Sequence, residues 1–335
     1  MNNTNLKTNN LTIIVPIYKP TISLENILKN IKKQSDQNFD LIITIDLPSS
    51  NDLEIIEELE KSFNNEIKII INSTHQNINT VIKQSLSFVN TKYTYIFYSY
   101  SYIKSSFVKT FNNFINVAQI KPDFIEVAGY CRGLVSHDFY RSKFQDKKII
   151  NLNDNKKPIA MVSPFIFNSI ITTDIFKKLF QEFNIQTTNL QYSSACKYLA
   201  ISLAKTFTYL LDLPIYDYNE SISLLRPKTI IDEWKEIHKY LKNKTIEEEL
   251  NFAKAMHYQY FIAGFLGGTK LSKKTKSGQN IISFENKLLS EIKKTNLLNL
   301  INTNKYFKEF EVKLIDEKDF LDNKNWNEIL KIFIW

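Results

Sequence analysis

Leu11-Thr12-Ile13-Ile14-Val15-Pro16-Ile17-Tyr18-Lys19 is the stretch on which the fold turns. Leu11–Ile17 is an apolar run closed by Pro16 and Pro20, as expected of a strand covered on both faces. Residues 23–33 follow, with Ser23 placed to cap a helix and Leu24, Ile27, Leu28 and Ile31 at helical spacing. Residues 41–45 read as a second strand, ended by Asp46 and the turn-forming Pro48-Ser49-Ser50-Asn51-Asp52. The alternation continues: a helix over 53–63, a strand over 67–71, a helix over 78–89, and an aromatic-rich strand over 93–98. Strands alternating with helices at this spacing predict an α/β fold with a parallel sheet and helices on its faces. Ligands of such sheets bind at the carboxyl ends of the strands. Function is therefore expected after Ile17, Ile45, Ile71 and Tyr98.

Farther along, residues 123–223 are mixed, with helices near 173–183 and 193–205. From Thr229 the chain turns mainly helical, over 230–241 and then 245–265, where Glu247, Glu248 and Glu249 suit a first turn. Gly264, Gly267 and Gly268 are expected to end that helix, a basic linker to span 270–276, and an amphipathic helix to cover 284–300. The division expected is a polar, Asn-rich disordered N-terminus (1–10), an α/β domain (11–225) and a mainly helical region (229–335). No internal repeat is present.

Composition narrows the class. A chain of 335 residues is long enough for a substantial core. No apolar run reaches the roughly 18–20 residues that span a bilayer. Two cysteines, Cys131 and Cys196, are too few for a disulfide framework and point to a reduced, cytoplasmic protein. The net charge of +8 comes from lysines spread along the chain rather than massed. With no finger and no basic-plus-heptad region, no nucleic-acid partner is expected.

Three segments, in order, carry a resemblance. Val15-Pro16-Ile17-Tyr18-Lys19 ends the first strand, Asp46-Leu47-Pro48-Ser49 ends the second, and Pro214-Ile215-Tyr216-Asp217-Tyr218-Asn219 precedes Ser221-Ile222-Ser223. Over roughly residues 11–225 the chain resembles the family 2 glycosyltransferases of GT-A fold. That resemblance implies nucleotide binding by Pro16, Tyr18, Asp46 and Ser49, with a UDP-sugar or another nucleotide sugar as ligand. It also makes plausible a role in glycolipid or polysaccharide synthesis at the cytosolic membrane surface.

The chain departs from the family where the chemistry lies. A nucleoside diphosphate leaving group develops negative charge, which a divalent cation held by carboxylates offsets. The family supplies an Asp-x-Asp after its fourth strand, and the matching positions here are Tyr98-Ser99-Tyr100. No Asp or Glu occurs between Glu66 and Asp123. The family's catalytic base lies in an acidic pair opening a later helix, where this chain has Ser193 and Ser194. No carboxylate occurs between Glu182 and Asp212 either. The expectation is a glycosyltransferase-like pseudoenzyme with no metal and no cofactor, binding a nucleotide sugar, a glycan or an active paralogue.

Several residues carry two readings. Asp46 either accepts a hydrogen bond from a base NH or starts an Asx-turn. Tyr18 either stacks on a base or is a core aromatic. His75 is near the crevice or simply solvated. Arg132 either contacts a diphosphate in place of the metal or is a surface residue. The run Tyr93, Tyr95, Phe97, Tyr98, Tyr100 and Tyr102 is either a sugar-stacking platform or ordinary strand sequence. Two rival functions stand beside the pseudoenzyme. One is a metal-independent transferase with Asp138, Asp174 or Asp217 as base. The other is a peripheral membrane or scaffold protein, in which Ala255, Tyr258, Phe261, Ile262 and Phe265 form one helical face ahead of Lys270, Lys273, Lys274 and Lys276; that face either meets an anionic membrane or packs on the sheet domain with the lysines in a solvated loop.

Overall fold

The computed structural model describes residues 9–20, 22–63, 67–133, 136–139, 144–187, 189–218, 226–261, 274–295, 299 and 303–310. The first part alternates as expected: β1 (Leu11–Ile17), α1 (Leu24–Lys32), β2 (Asp40–Asp46), α2 (Ser50–Ser62), β3 (Ile67–Asn72), α3 (Ile78–Leu86) and β4 (Tyr93–Ile96). These four strands are parallel in the order β3-β2-β1-β4. Ser23 caps α1, and Leu24, Ile27, Leu28 and Ile31 are its buried face. The second helix begins at Ser50, three residues before the sequence reading placed it. Ser49 and Asp52 form a reciprocal capping box there, so the turn-forming residues themselves start the helix.

The chain then crosses to the other half of the sheet through β5 (Ser101–Ile103), α4 (Phe107–Val117), β6 (Phe124–Arg132), β7 (Ser136–Phe139), β8 (Ile150–Asn151), α5 (Lys157–Met161), β9 (Ser169–Thr172), α6 (Thr173–Glu182), α7 (Ser194–Leu203) and β10 (Thr206–Asp217). The sheet runs β3-β2-β1-β4-β9-β6-β10-β5, with β7 added on β6 and β8 on β10. β9 is antiparallel to both β4 and β6, and β5 is antiparallel to β10. A parallel half is thus joined to a mixed half. In the mixed half β5, β7, β8 and β9 escaped sequence reading because they are only two to four residues long, and β10 because it contains Pro214.

The described C-terminal helices are α8 (Pro227–Leu241), α9 (Glu247–Tyr260), α10 (Lys276–Lys294) and α11 (Lys305–Glu309). They share one hydrophobic core with the sheet domain. Trp234 of α8 is fully buried, its ring 4.8 Å from that of Tyr198 on α7, and its indole N–H donates to His257 Nδ1 at 2.8 Å. On α9, Ala255 and Tyr258 are buried, and so is Phe261 just beyond it. The described part of that apolar face belongs to the core. Ile262, Phe265, the three glycines and Lys270 and Lys273 lie outside the described residues. Lys276 opens α10 rather than closing a linker, because Thr275 caps the helix by accepting from Gly278 N–H. Among the described residues no helix is long and apolar enough to cross a membrane.

Candidate functional site

The site grows from a parting of the sheet. β1 pairs with β2 as far as Ile17, but with β4 only from Leu11 to Ile14. Phe97 N–H donates to Ile14 O toward β4, and Pro16, two residues on, faces the same way. Its missing N–H therefore points to a side with no strand to pair, which is where a proline inside a central strand is tolerated. Beyond Ile14 a crevice opens between the carboxyl ends of β1 and β4, at the point where strand order reverses.

Tyr18, Asp46 and His75 meet on one wall of this crevice. The Tyr18 ring stacks on His75 with centroids 3.6 Å apart and planes at 16°, and Tyr18 stays 41% exposed. Asp46 is buried, and three donors point at its carboxylate: Asn72 Nδ2 at 2.9 Å, His75 Nδ1 at 3.1 Å and Gln76 N–H at 2.8 Å. Neither of the sequence alternatives for Asp46 describes it fully. Its carboxylate pins the loop after β3, leaving little of its acceptor capacity for an outside donor. The Asx-turn reading fails, because the donors lie 26 to 30 residues away. Lys19 and Leu47, the residues after Tyr18 and Asp46, have φ of 39° and 53°. Backbone held in this region is strained and collects at ligand-binding sites. The Ser49 hydroxyl donates to Asp52 Oδ2 at 2.7 Å and accepts from Asp52 N–H at 3.2 Å, so in this arrangement it serves the capping box of α2.

The metal-site positions fall in the turn that joins β4 to β5, closed by Ser101 N–H donating to Tyr98 O at 2.8 Å. Tyr98 is buried, and its hydroxyl has no hydrogen-bond partner among the described residues. Burial pushes that hydroxyl's pKa well above the ordinary tyrosine value, with the Cys196 thiol the next cause. Tyr100 is half-buried. The carboxylate nearest in register is Asp217, which stands opposite Ser101 and accepts from Gln191 Nε2 at 2.7 Å. Among the described residues no three His, Cys, Asp or Glu side chains converge. These residues do not fit a divalent cation, which takes several oxygen ligands.

The base position is occupied in a way the sequence did not show. Ser193 is the cap of α7, its hydroxyl accepting from Cys196 N–H. Glu233, from α8, reaches the same first turn. Its Oε2 accepts from Ser194 N–H and Ser194 Oγ, both at 2.7 Å, and from Ala195 N–H at 3.2 Å. Burial raises its pKa against the opposing pull of these donors. A carboxylate thus sits at the helix start where the family carries its acids, but it comes from 39 residues downstream and is 6% exposed. Nothing in one-dimensional sequence links Glu233 to Ser194; the one signal is a glutamate beside Trp234 on a face that is otherwise apolar.

Gln191 lies two residues before Ser193, so the Gln191–Asp217 hydrogen bond ties the two altered positions together. Of the three alternative bases, only Asp217 is drawn into this seam. Asp138 is exposed and forms an ion pair with Arg132. Asp174 opens α6, next to Thr173 whose N–H binds Lys92 O at the amino end of β4, away from the crevice. Arg132 is occupied by Asp138, by Cys131 O at 2.9 Å and by the Tyr130 ring at 5.1 Å. A diphosphate is not needed to explain its position.

No family model and no curated protein matches the sequence. Solved structures do. Staphylococcus aureus TarS superposes with a TM-score of 0.58 at 16% identity, over 97% of this chain and 54% of the TarS chain. The present chain therefore spans about half of that longer protein. TarS 1–349 in complex with UDP-GlcNAc gives 0.57 at 16% identity, over 96% and 91% of the two chains. The mannosyltransferase PcManGT from Pyrobaculum calidifontis, in complex with GDP-Man and Mn2+, gives 0.51 at 8% identity, over 96% and 85%. With the parted parallel half and the antiparallel β5–β10 pair, this likeness establishes that the chain has a GT-A-like glycosyltransferase fold.

Proposed function

We propose that this protein binds a nucleotide sugar or nucleoside diphosphate in the crevice between β1 and β4 and does not carry out the family's metal-assisted transfer. The observation that carries the reading is the Tyr18–His75–Asp46 cluster at the carboxyl ends of β1, β2 and β3. There an exposed aromatic face and a rigid polar wall stand where such sheets hold a nucleotide. Asp46 serves this site by fixing His75 and Gln76, and Tyr18 offers the stacking surface. The reading of lost metal chemistry is supported by the buried Tyr98 and by the lack, among the described residues, of any three converging His, Cys, Asp or Glu side chains.

Thermal shift and calorimetry with UDP, GDP, UDP-GlcNAc and GDP-mannose, each with and without manganese, test the proposal. Stabilisation by at least one ligand, unchanged by manganese, is expected. Tyr18→Ala and Asp46→Ala should each weaken that affinity by about ten-fold, or 1.4 kcal/mol. Manganese-dependent binding, or binding indifferent to both substitutions in folded protein, is the contrary result. A second reading, a metal-independent transferase, is favoured by Asp217, the carboxylate that stands opposite Ser101 and is tied through Gln191 to the start of α7. Sugar transfer or hydrolysis that vanishes in Asp217→Asn with nucleotide affinity kept would establish it.

A further inference from the structure

The strands β5, β10, β6 and β7 lie side by side, and their register sorts the side chains onto two faces. One face is interior: Ser101, Cys131, Ile215 and Asp217 are buried there, and at Gly129 an added Cβ would meet Phe167 at 3.0 Å. The other face is half-exposed. One row across it is Tyr102, Tyr216, Tyr130 and Asp138. Tyr218 N–H donates to Tyr100 O, which continues the pairing, so the next row is Tyr100, Tyr218 and Arg132. Ring centroids are 6.0 Å apart for Tyr102–Tyr216 and 5.1 Å for Tyr216–Tyr130. Outward positions of such strands ordinarily carry plain polar residues. Five tyrosines on one face are not that pattern.

We propose that this tyrosine face is a binding platform for a neutral glycan. Three strands at about 4.8 Å spacing present roughly 10 Å of aromatic surface, the scale of a short oligosaccharide. Phenol rings offer an apolar body with a polar tip, matching the apolar C–H faces and hydroxyl edges of sugar rings. Within these two rows the described cation, Arg132, is paired with Asp138, so the tyrosines are not accompanied there by an unpaired charge that would select a phosphate or an acidic chain. Tyr102 and Tyr218 are each 45% exposed, and Tyr100 stands at the second altered metal-motif position, so the platform borders the crevice. The second half of the altered motif has become part of a stacking surface.

The choice of glycan rests on the glycosyltransferase reading above, whereas the experiment does not pass through the nucleotide site. Full-length protein is run in native gels containing dextran, mannan, β-glucan or xylan, at low and at high salt. Retardation by at least one polysaccharide, unaffected by salt, is expected. Tyr102→Ala together with Tyr218→Ala should weaken the retardation at least about ten-fold, while Tyr102→Phe retains it. Asp46→Ala, which weakens nucleotide affinity about ten-fold if the reading above holds, should migrate in these gels as wild type does. No retardation by any of the four, retardation lost at high salt, or retardation equal in the double alanine variant overturns the platform. Circular dichroism and a melting curve of each variant separate loss of binding from loss of fold. If the double variant does not fold, Tyr102→Ser alone, at an exposed position, must show the weakening.

Discussion

At the scale of single residues, Tyr98, Ser193 and Ser194, the positions matched to the acids of the family 2 enzymes, are built into the fold and are not vacant slots awaiting an acid. Tyr98 is buried against the start of α7, so Tyr98→Asp would place a carboxylate in an apolar setting and leave a cavity. We expect a loss on the order of 3–5 kcal/mol in chemical denaturation, and no gain of manganese affinity by calorimetry. Restored metal binding in a stable variant would show that the site tolerates a carboxylate after all. Glu233 gives a pH-dependent signature. Its pKa in the folded protein is raised above 4.5, so the native state holds the proton more tightly than the unfolded chain. Its contribution is therefore most favourable below that unfolded value and is lost as pH rises through the folded pKa. Glu233→Gln, which stays neutral and keeps one acceptor oxygen, should gain stability relative to wild type as pH rises from 4.5 through the raised folded pKa. A parallel pH dependence of the two melting temperatures would contradict this.

At the scale of elements, the long strands and amphipathic helices were legible and the short ones were not. β1 to β4 and their helices follow from apolar runs, caps and 3.6-residue periodicity, all of which are local. β5, β7, β8 and β9 carry two to four residues each and are defined by their partners. The same limit governed the site. Asp46 and Tyr18 are strand-end residues and could be found from topology, but the roles of His75 and Gln76 required knowing that Asp46 faces them. Alternating tyrosines at 100 and 102 were visible along one strand. Their continuation in Tyr216, Tyr218 and Tyr130 is a cross-strand fact. For helix α9 the sequence left both readings open, since an apolar face beside lysines reads alike whether it meets lipid or a protein core. With Ala255, Tyr258 and Phe261 buried, wild-type protein should remain in the supernatant of anionic liposomes at low salt. Pelleting that disappears when Lys270, Lys273, Lys274 and Lys276 become Gln would restore the membrane reading.

For the whole molecule, the C-terminal helices and the sheet domain depend on one another. Glu233 satisfies the first turn of α7 and Trp234 covers Tyr198, so a chain ended at Arg226 would expose both. Such a truncation should be insoluble or lack a cooperative melting transition, unlike the complete chain; a soluble, cooperatively melting fragment would argue against this dependence. The pairing of β5 with β10 has a consequence for how the protein is made. Tyr102 and its partner Tyr216 are separated by more than a hundred residues. At ~5–20 residues per second, the ribosome delivers the second strand roughly 6–20 s after the first. During that interval β5 has no neighbour, and Tyr102 waits with it outside the exit tunnel on an unpaired edge. The nascent chain is therefore most in need of chaperone cover in the middle of its synthesis, and that need ends only when β10 emerges and closes the sheet.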